Sequence, residues 1–281
     1  MKTILLPTDF SDNSWNAIVY ALNFYKDSEC NFYLLHVNEL NNDVTDDYLY
    51  SSSQNLVADN TIEQAKTQLK LVLKKILEKF SNNTKHQFYT LTDTNFFLES
   101  IRQHIEEKKV DVIVMGTKGA SGLDKFIIGA NTGDVITKVK CTTLVVPENA
   151  KFNRIDEVAF PTDFSLSSGL QLLQPLSEIL DKNRASLRVL NIGRKPSTLN
   201  PQEQKNKELL EDYLYNNRYS LHFLTNKKAK DALQCFVKSR SIDMIAMVAK
   251  NLNYFQQILF HNKVEEISYH TDIPFLVLHE S

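Results

Sequence analysis

The chain has 281 residues, room for two domains of ordinary size, and its 42% hydrophobic and 23% charged residues are the balance of a globular protein. A net charge of −2 with no sustained basic stripe argues against nucleic acid or a membrane surface as partner. Cys30, Cys141 and Cys235 are far apart with no CxxC, which fits a reducing compartment and small buried apolar roles, and no apolar run approaches the ~18 residues of a membrane span or the shape of a signal peptide. The expected location is the cytoplasm.

The first half alternates strand and helix. "KTILLP" from Lys2 is a short apolar strand, and residues 11–26 form a helix with Trp15, Ile18, Val19, Leu22 and Tyr25 on one face, capped by Ser11 or Asp12. "NFYLLHV" is a buried strand. A polar loop near 41–53 leads to a long helix carrying Ile62, Ala65, Leu69, Leu73, Ile76 and Phe80. "HQFYTL" is a third strand, "NFFLESIRQHIEEK" a helix and "VDVIVMG" a fourth strand. After a glycine-rich stretch, "TGDVITKVK" is a short helix and "TTLVVP" a last strand. Apolar, unalternating strands joined by helices predict a parallel sheet covered on both faces.

The pattern is then written again. "ILLPTDFS" at Ile4 recurs as "VAFPTDFS" at Val158, "VDVIVMGTK" as "IDMIAMVAK", and "TLVVPE" as "FLVLHE". The first echo is displaced by 154 residues (Pro7 to Pro161), the others by 132 (Asp111 to Asp243, Glu148 to Glu280), so the second copy is 22 residues shorter in its middle. The expectation is an α/β fold of two tandem, doubly wound five-stranded parallel sheets, each of order 3-2-1-4-5, over residues 1–150 and 151–281. The last strands, "TTLVV" and "PFLVL", are predicted to cover each other as a pseudo-twofold pair, because a bare apolar edge invites aggregation.

Five of the chain's seven glycines fall between Gly116 and Gly133. Glycine is chosen where φ is positive or where something approaches the backbone closely. The spacing is neither a P-loop nor GxGxxG, yet the physics is related: backbone N–H groups and a helix start near Asn131 and Thr132 face an anion, with Lys118 and Lys125 nearby. Pro7, Thr8 and Asp9 end the first strand over the same crevice if strands one and four are neighbours.

These residues resemble the universal stress protein family in its tandem form. Gly116, Gly119 and Gly129 match the family's glycine spacing after the fourth strand, and Pro7-Thr8-Asp9 matches its turn after the first. The resemblance implies a cytoplasmic, dimeric stress-response protein. It also implies an adenine nucleotide (ATP, ADP or AMP, with or without Mg²⁺), with Val37 beside the base and Gly129, Ala130, Asn131 and Thr132 around the phosphates. Ala130 departs from the family's Ser or Thr; losing a hydrogen bond to a charged group, about 1.5–3 kcal/mol, lowers affinity roughly ten- to a hundredfold. Thr132 is read as a substitute hydroxyl or as a cap.

Other readings compete. Asp9 serves ligand or turn, and its repeat Asp163 favours the turn; Lys118 serves phosphate or solvent. Asp124 and Asp134 read as solvated loop charges. His36, inside an apolar strand, reads as a core residue, as do Trp15, Phe96 and Phe97. The seven histidines show no metal-ligand spacing, and no acid–base or nucleophile grouping marks an enzyme. The second copy replaces Gly116, Gly119, Gly122, Gly129 and Gly133 by Val248, Asn251, Tyr254, His261 and Glu265, so one nucleotide per chain is expected. The alternatives are a nucleotide-independent interaction protein working through an unidentified protein partner, and a slow ATP hydrolase or adenylate-forming enzyme. An internal pseudo-dimer or a homodimer is expected in each case.

Overall fold

The computed structural model describes residues 1–38, 51–117, 129–165, 169–192, 198–224, 229–249 and 272–279, with backbone alone for 51–60, 229–232 and 234. The first half contains β1 (Lys2–Pro7), α1 (Asp12–Phe24), β2 (Cys30–Asn38), α2 (Ser51–Lys79), β3 (His86–Thr94), α3 (Phe97–Lys108), β4 (Val112–Gly116), α4 (Ala130–Lys138) and β5 (Thr142–Val146). The second contains β6 (Glu157–Pro161), a 3₁₀ turn (Leu170–Leu173), α5 (Gln174–Asn183), β7 (Ser186–Ile192), α6 (Pro201–Tyr213), β8 (Arg218–Leu224), α7 (Ala229–Ser239), β9 (Met244–Val248) and β10 (Phe275–Leu278).

The strands form one sheet of ten, in the order β3-β2-β1-β4-β5-β10-β9-β6-β7-β8. Each half has the expected 3-2-1-4-5 order. The two five-stranded sheets do not merely pack: β5 and β10 hydrogen-bond antiparallel, Phe275 opposite Val145 and Val277 opposite Thr143, and every other pair is parallel. The two edges predicted to hide each other thus become the midline of a continuous sheet. The shortening of the second copy falls mainly on one helix, 29 residues in α2 against 13 in α6. α2 begins earlier than its apolar periodicity, because its first turns are polar.

Burial on both faces explains the unalternating strands. Ile4 and Leu6 pack with Ile18, Leu22 and Phe32 on one face of the first half. Leu5 faces the other way, with Leu35, Ile101, Ile113, Met115 and Val135. α1 buries more than its predicted face: Ala17, Tyr20, Ala21 and Phe24 are also inside. The linker after β5 lies across it, with Phe152 edge-on to Tyr20 at 5.5 Å and Phe24 at 5.7 Å, and Asn16 Nδ2 donating to the Pro147 and Ala150 carbonyls at 3.0 Å each.

Three expectations are corrected. Cys235 is exposed, while Cys30 and Cys141 are buried, as expected. Phe96 is 52% exposed because it precedes α3 as its N-cap residue rather than joining its apolar face. Trp15 is only half-buried and lies beneath Lys75, whose Nζ is 3.9 Å from the ring centroid. No described helix is long and apolar enough to cross a membrane.

Candidate functional site

The PTDFS turn builds one wall of the site. Asp9 Oδ1 accepts from the Ser11 N–H at 3.1 Å and the Ser11 hydroxyl at 2.6 Å. Ser11 in turn caps α1, accepting from the Ser14 N–H at 3.2 Å. The Phe10 N–H donates to Thr8 Oγ1 at 3.1 Å, and Phe10 sits at φ 65°. Ser14 Oγ donates its one proton to the Ser11 carbonyl at 2.9 Å, so the 2.9 Å contact between the two hydroxyls runs from Thr8 to Ser14.

The second copy repeats this network. Ser165 N–H donates to Asp163 Oδ1 at 2.9 Å, Phe164 N–H donates to Thr162 Oγ1 at 2.9 Å, and Phe164 has φ 61°. A left-handed phenylalanine is costly. Its presence in both halves, held by the same bonds, makes turn geometry the shared task of the motif.

A cavity of about 360 Å³ opens beyond the carboxyl ends of β1, β2 and β4. Pro7, Thr8, Asp9, Val37, Gly116, Gly129, Ala130, Asn131 and Thr132 line it, so nine of the eleven expected site residues converge. Lys118 and Gly119, and with them Gly122, Asp124 and Lys125, lie outside the described residues. Four lining residues were missed: Ser14, His36, Phe97 and Met115. Of these, Phe97 and His36 had been read as core.

α4 starts at the cavity. Gly129 is its N-cap, without a side-chain cap, and the first bond inside the helix runs from the Gly133 N–H to the Gly129 carbonyl at 2.9 Å. The first-turn N–H groups, those of Ala130 and Thr132 among them, therefore have no acceptor inside the helix, and with the helix dipole they favour an anion. Thr132 is buried, and its hydroxyl donates to the Gly116 carbonyl at 2.8 Å. It is thus neither a cap nor a free donor for a ligand. Gly116 has a packing reason as well: a Cβ there would stand 2.9 Å from the Asn13 side chain. Asp134 pairs with Lys138 at 2.7 Å on the surface of α4, in keeping with a solvated charge.

His36 also lines the cavity. Its Nδ1 is 2.8 Å from the Thr8 carbonyl, and its ring stacks on Phe10 with centroids 4.3 Å apart. In the second half, Asn191 Nδ2 donates to the Thr162 carbonyl at 3.0 Å in the same place. Val248, the counterpart of Gly116, is buried at the end of β9. The remaining counterparts, Asn251, Tyr254, His261 and Glu265, lie outside the described residues. Among the described residues no group of three His, Cys, Asp or Glu could hold a metal ion.

An open, doubly wound α/β sheet with a strand–loop–helix pocket at its switch point defines a class of proteins that hold anionic ligands there. Within that class, the family model described as "Universal stress protein family" matches residues 1–147, and the chain belongs to that family. It is 31% identical over 150 residues to universal stress protein MJ0531 of Methanocaldococcus jannaschii, covering 53% of this chain and 84% of that one. To MJ0577 of the same organism it is 28% identical over 156 residues, covering 52% and 94%. A universal stress protein of Archaeoglobus fulgidus superposes over 99% of this chain and 98% of its own with a TM-score of 0.69 and 16% identity, a likeness of fold along the whole length.

Proposed function

We propose that the first half binds an adenine nucleotide, most simply ATP, and that the chain is a non-enzymatic stress-response regulator whose contacts change with occupancy. The observation that carries this reading is the cavity itself. The first-turn N–H groups of α4 and the apolar side chains of Val37, Phe97 and Met115 line the same cavity. Anion-binding groups and apolar side chains in one cavity fit a phosphate chain and a base, and 360 Å³ lies within the usual range for small-molecule sites, about 300–1,000 Å³. Mg²⁺, where it accompanies ATP, would be held through the phosphates.

A regulator rather than a catalyst is supported by Asp9, the carboxylate lining the cavity, whose Oδ1 already holds the turn. The second half has Val248 in place of the first glycine of the loop, which supports one nucleotide per chain, and the repeated strand order supports the division into domains 1–150 and 151–281. A reducing cytoplasm suits Cys30 and Cys141, whose thiols burial pushes up to about 11 and about 12. A nucleotide-independent interaction protein is the second reading. Ala130, and a Thr132 hydroxyl already committed to Gly116, favour it.

Mass spectrometry of small molecules released from purified protein, with calorimetric titration by ATP, ADP and AMP, decides between them. Bound nucleotide or saturable heat at one site per chain is expected. No release and no heat with any of the three overturns the nucleotide reading. ATP turnover that vanishes in Gly119→Val overturns the non-enzymatic one.

A further inference from the structure

We infer that His36 is a ligand-selecting residue, presenting a bare hydrogen-bond acceptor, Nε2, to an N–H or O–H donor of the bound molecule. The inference rests on the proposal that the cavity holds a nucleotide. A backbone carbonyl only accepts, so the 2.8 Å contact to the Thr8 carbonyl puts the proton on Nδ1. In the neutral ring Nε2 then carries a lone pair and no proton. Nε2 has no hydrogen-bond partner among the described residues, while the residue lines the cavity.

The second half separates structural duty from binding duty. There Asn191 makes the same tie, Nδ2 to the Thr162 carbonyl at 3.0 Å, and is 2% exposed. Holding the turn carbonyl therefore needs only an amide. Histidine does this too, but its ring reaches one bond further, to an atom that asparagine lacks. It also rests on Phe10, at 4.3 Å and 29° between planes, which fixes the direction of Nε2. Val37, the next residue on β2, lines the same cavity.

Two donor groups of an adenine nucleotide are considered, the exocyclic amine and the ribose 2′-hydroxyl. The test compares ATP, 2′-deoxy-ATP and N6,N6-dimethyl-ATP by titration calorimetry on the full chain, wild type and His36→Asn. Asparagine keeps the tie to Thr8, as Asn191 does, and circular dichroism verifies folding. Wild-type protein should favour ATP over one analogue by roughly 2- to 10-fold, the value of one neutral hydrogen bond, and H36N should lose that preference. The analogue affected identifies the donor. A preference that persists unchanged in H36N, or no preference in wild type, overturns the role of His36 while nucleotide binding stands. No binding of any of the three by wild type overturns the nucleotide reading and this one with it.

Discussion

The two halves build the same turn and finish it differently. Both hold a left-handed phenylalanine with an aspartate and a threonine, and both tie the turn carbonyl to the second strand of the half. They part where the fourth strand ends: Gly116 leaves space that Asn13 fills, whereas the matched Val248 is itself part of the core. They part again at the tie, histidine in one half and asparagine in the other. The lesson is that a repeated motif marks what the fold needs, and departures from the repeat mark where the proposed binding is to be tested.

The contrast is tested hardest at the start of α4. Ala130→Glu places a carboxylate at the first helical position, where it stabilises the helix by about 0.3–1 kcal/mol yet repels a phosphate. ATP affinity should fall on the order of a hundredfold or more while the melting temperature holds or rises, as calorimetry and thermal unfolding together will show. Ala130→Ser works the other way. It places a hydroxyl where the proposed phosphates would lie, and titration should show affinity rising roughly tenfold to a hundredfold.

Next come the matched strand ends. Gly116→Ala forces a methyl against Asn13 and should cost about 1–3 kcal/mol in urea unfolding. Val248→Ala, at the same place in the repeat, should also cost about 1–3 kcal/mol, but by leaving a void. Unchanged stability in either variant would break the contrast between a glycine that leaves room for Asn13 and a valine that fills its own place.

The smallest effect is in acid. His279, which follows β10 where the first half has Pro147, is held down to about 4 by burial. Its folded value lies below the unfolded one, so the unfolded chain takes up the proton first. Stability is unaffected above pH ~6.5 and falls between there and about 4. His86 and His222, also lowered by burial, add loss in the same direction. Unfolding measured at pH 7.5 and pH 5 should show this loss, and His279→Asn should reduce it.

Most of the fold was legible because strands buried on both faces are written as apolar runs, and because an apolar last strand in each half needs cover. β5 and β10 were paired on that ground alone. Eight lining residues were legible from the two motifs, and Val37 from the family resemblance. His36 was not, since its contact joins distant parts of the chain. His36 meets Thr8 across 28 positions and Thr132 meets Gly116 across 16, and no local period carries either bond. His36 looked like core because the strand around it is apolar; only the folded turn shows it tied to Thr8 and lining the cavity. Gly116 looked like a ligand position, and its packing against Asn13 requires the third dimension.

The antiparallel junction at β5 and β10 also sets what the molecule is free to become. The sheet reverses direction there, so the first five strands end at one rim and the last five at the opposite rim. The crevices between β1 and β4 and between β6 and β9 lie four strand spacings apart, about 19 Å, on opposite rims. Two identical chains assembled about such a dyad are written by one set of codons, and any change at one rim is copied to the other. A fused chain is released from that bond. Valine can replace glycine at one rim while the other keeps it, giving a molecule with two chemically distinct ends, of which a partner docking on a rim can recognise one.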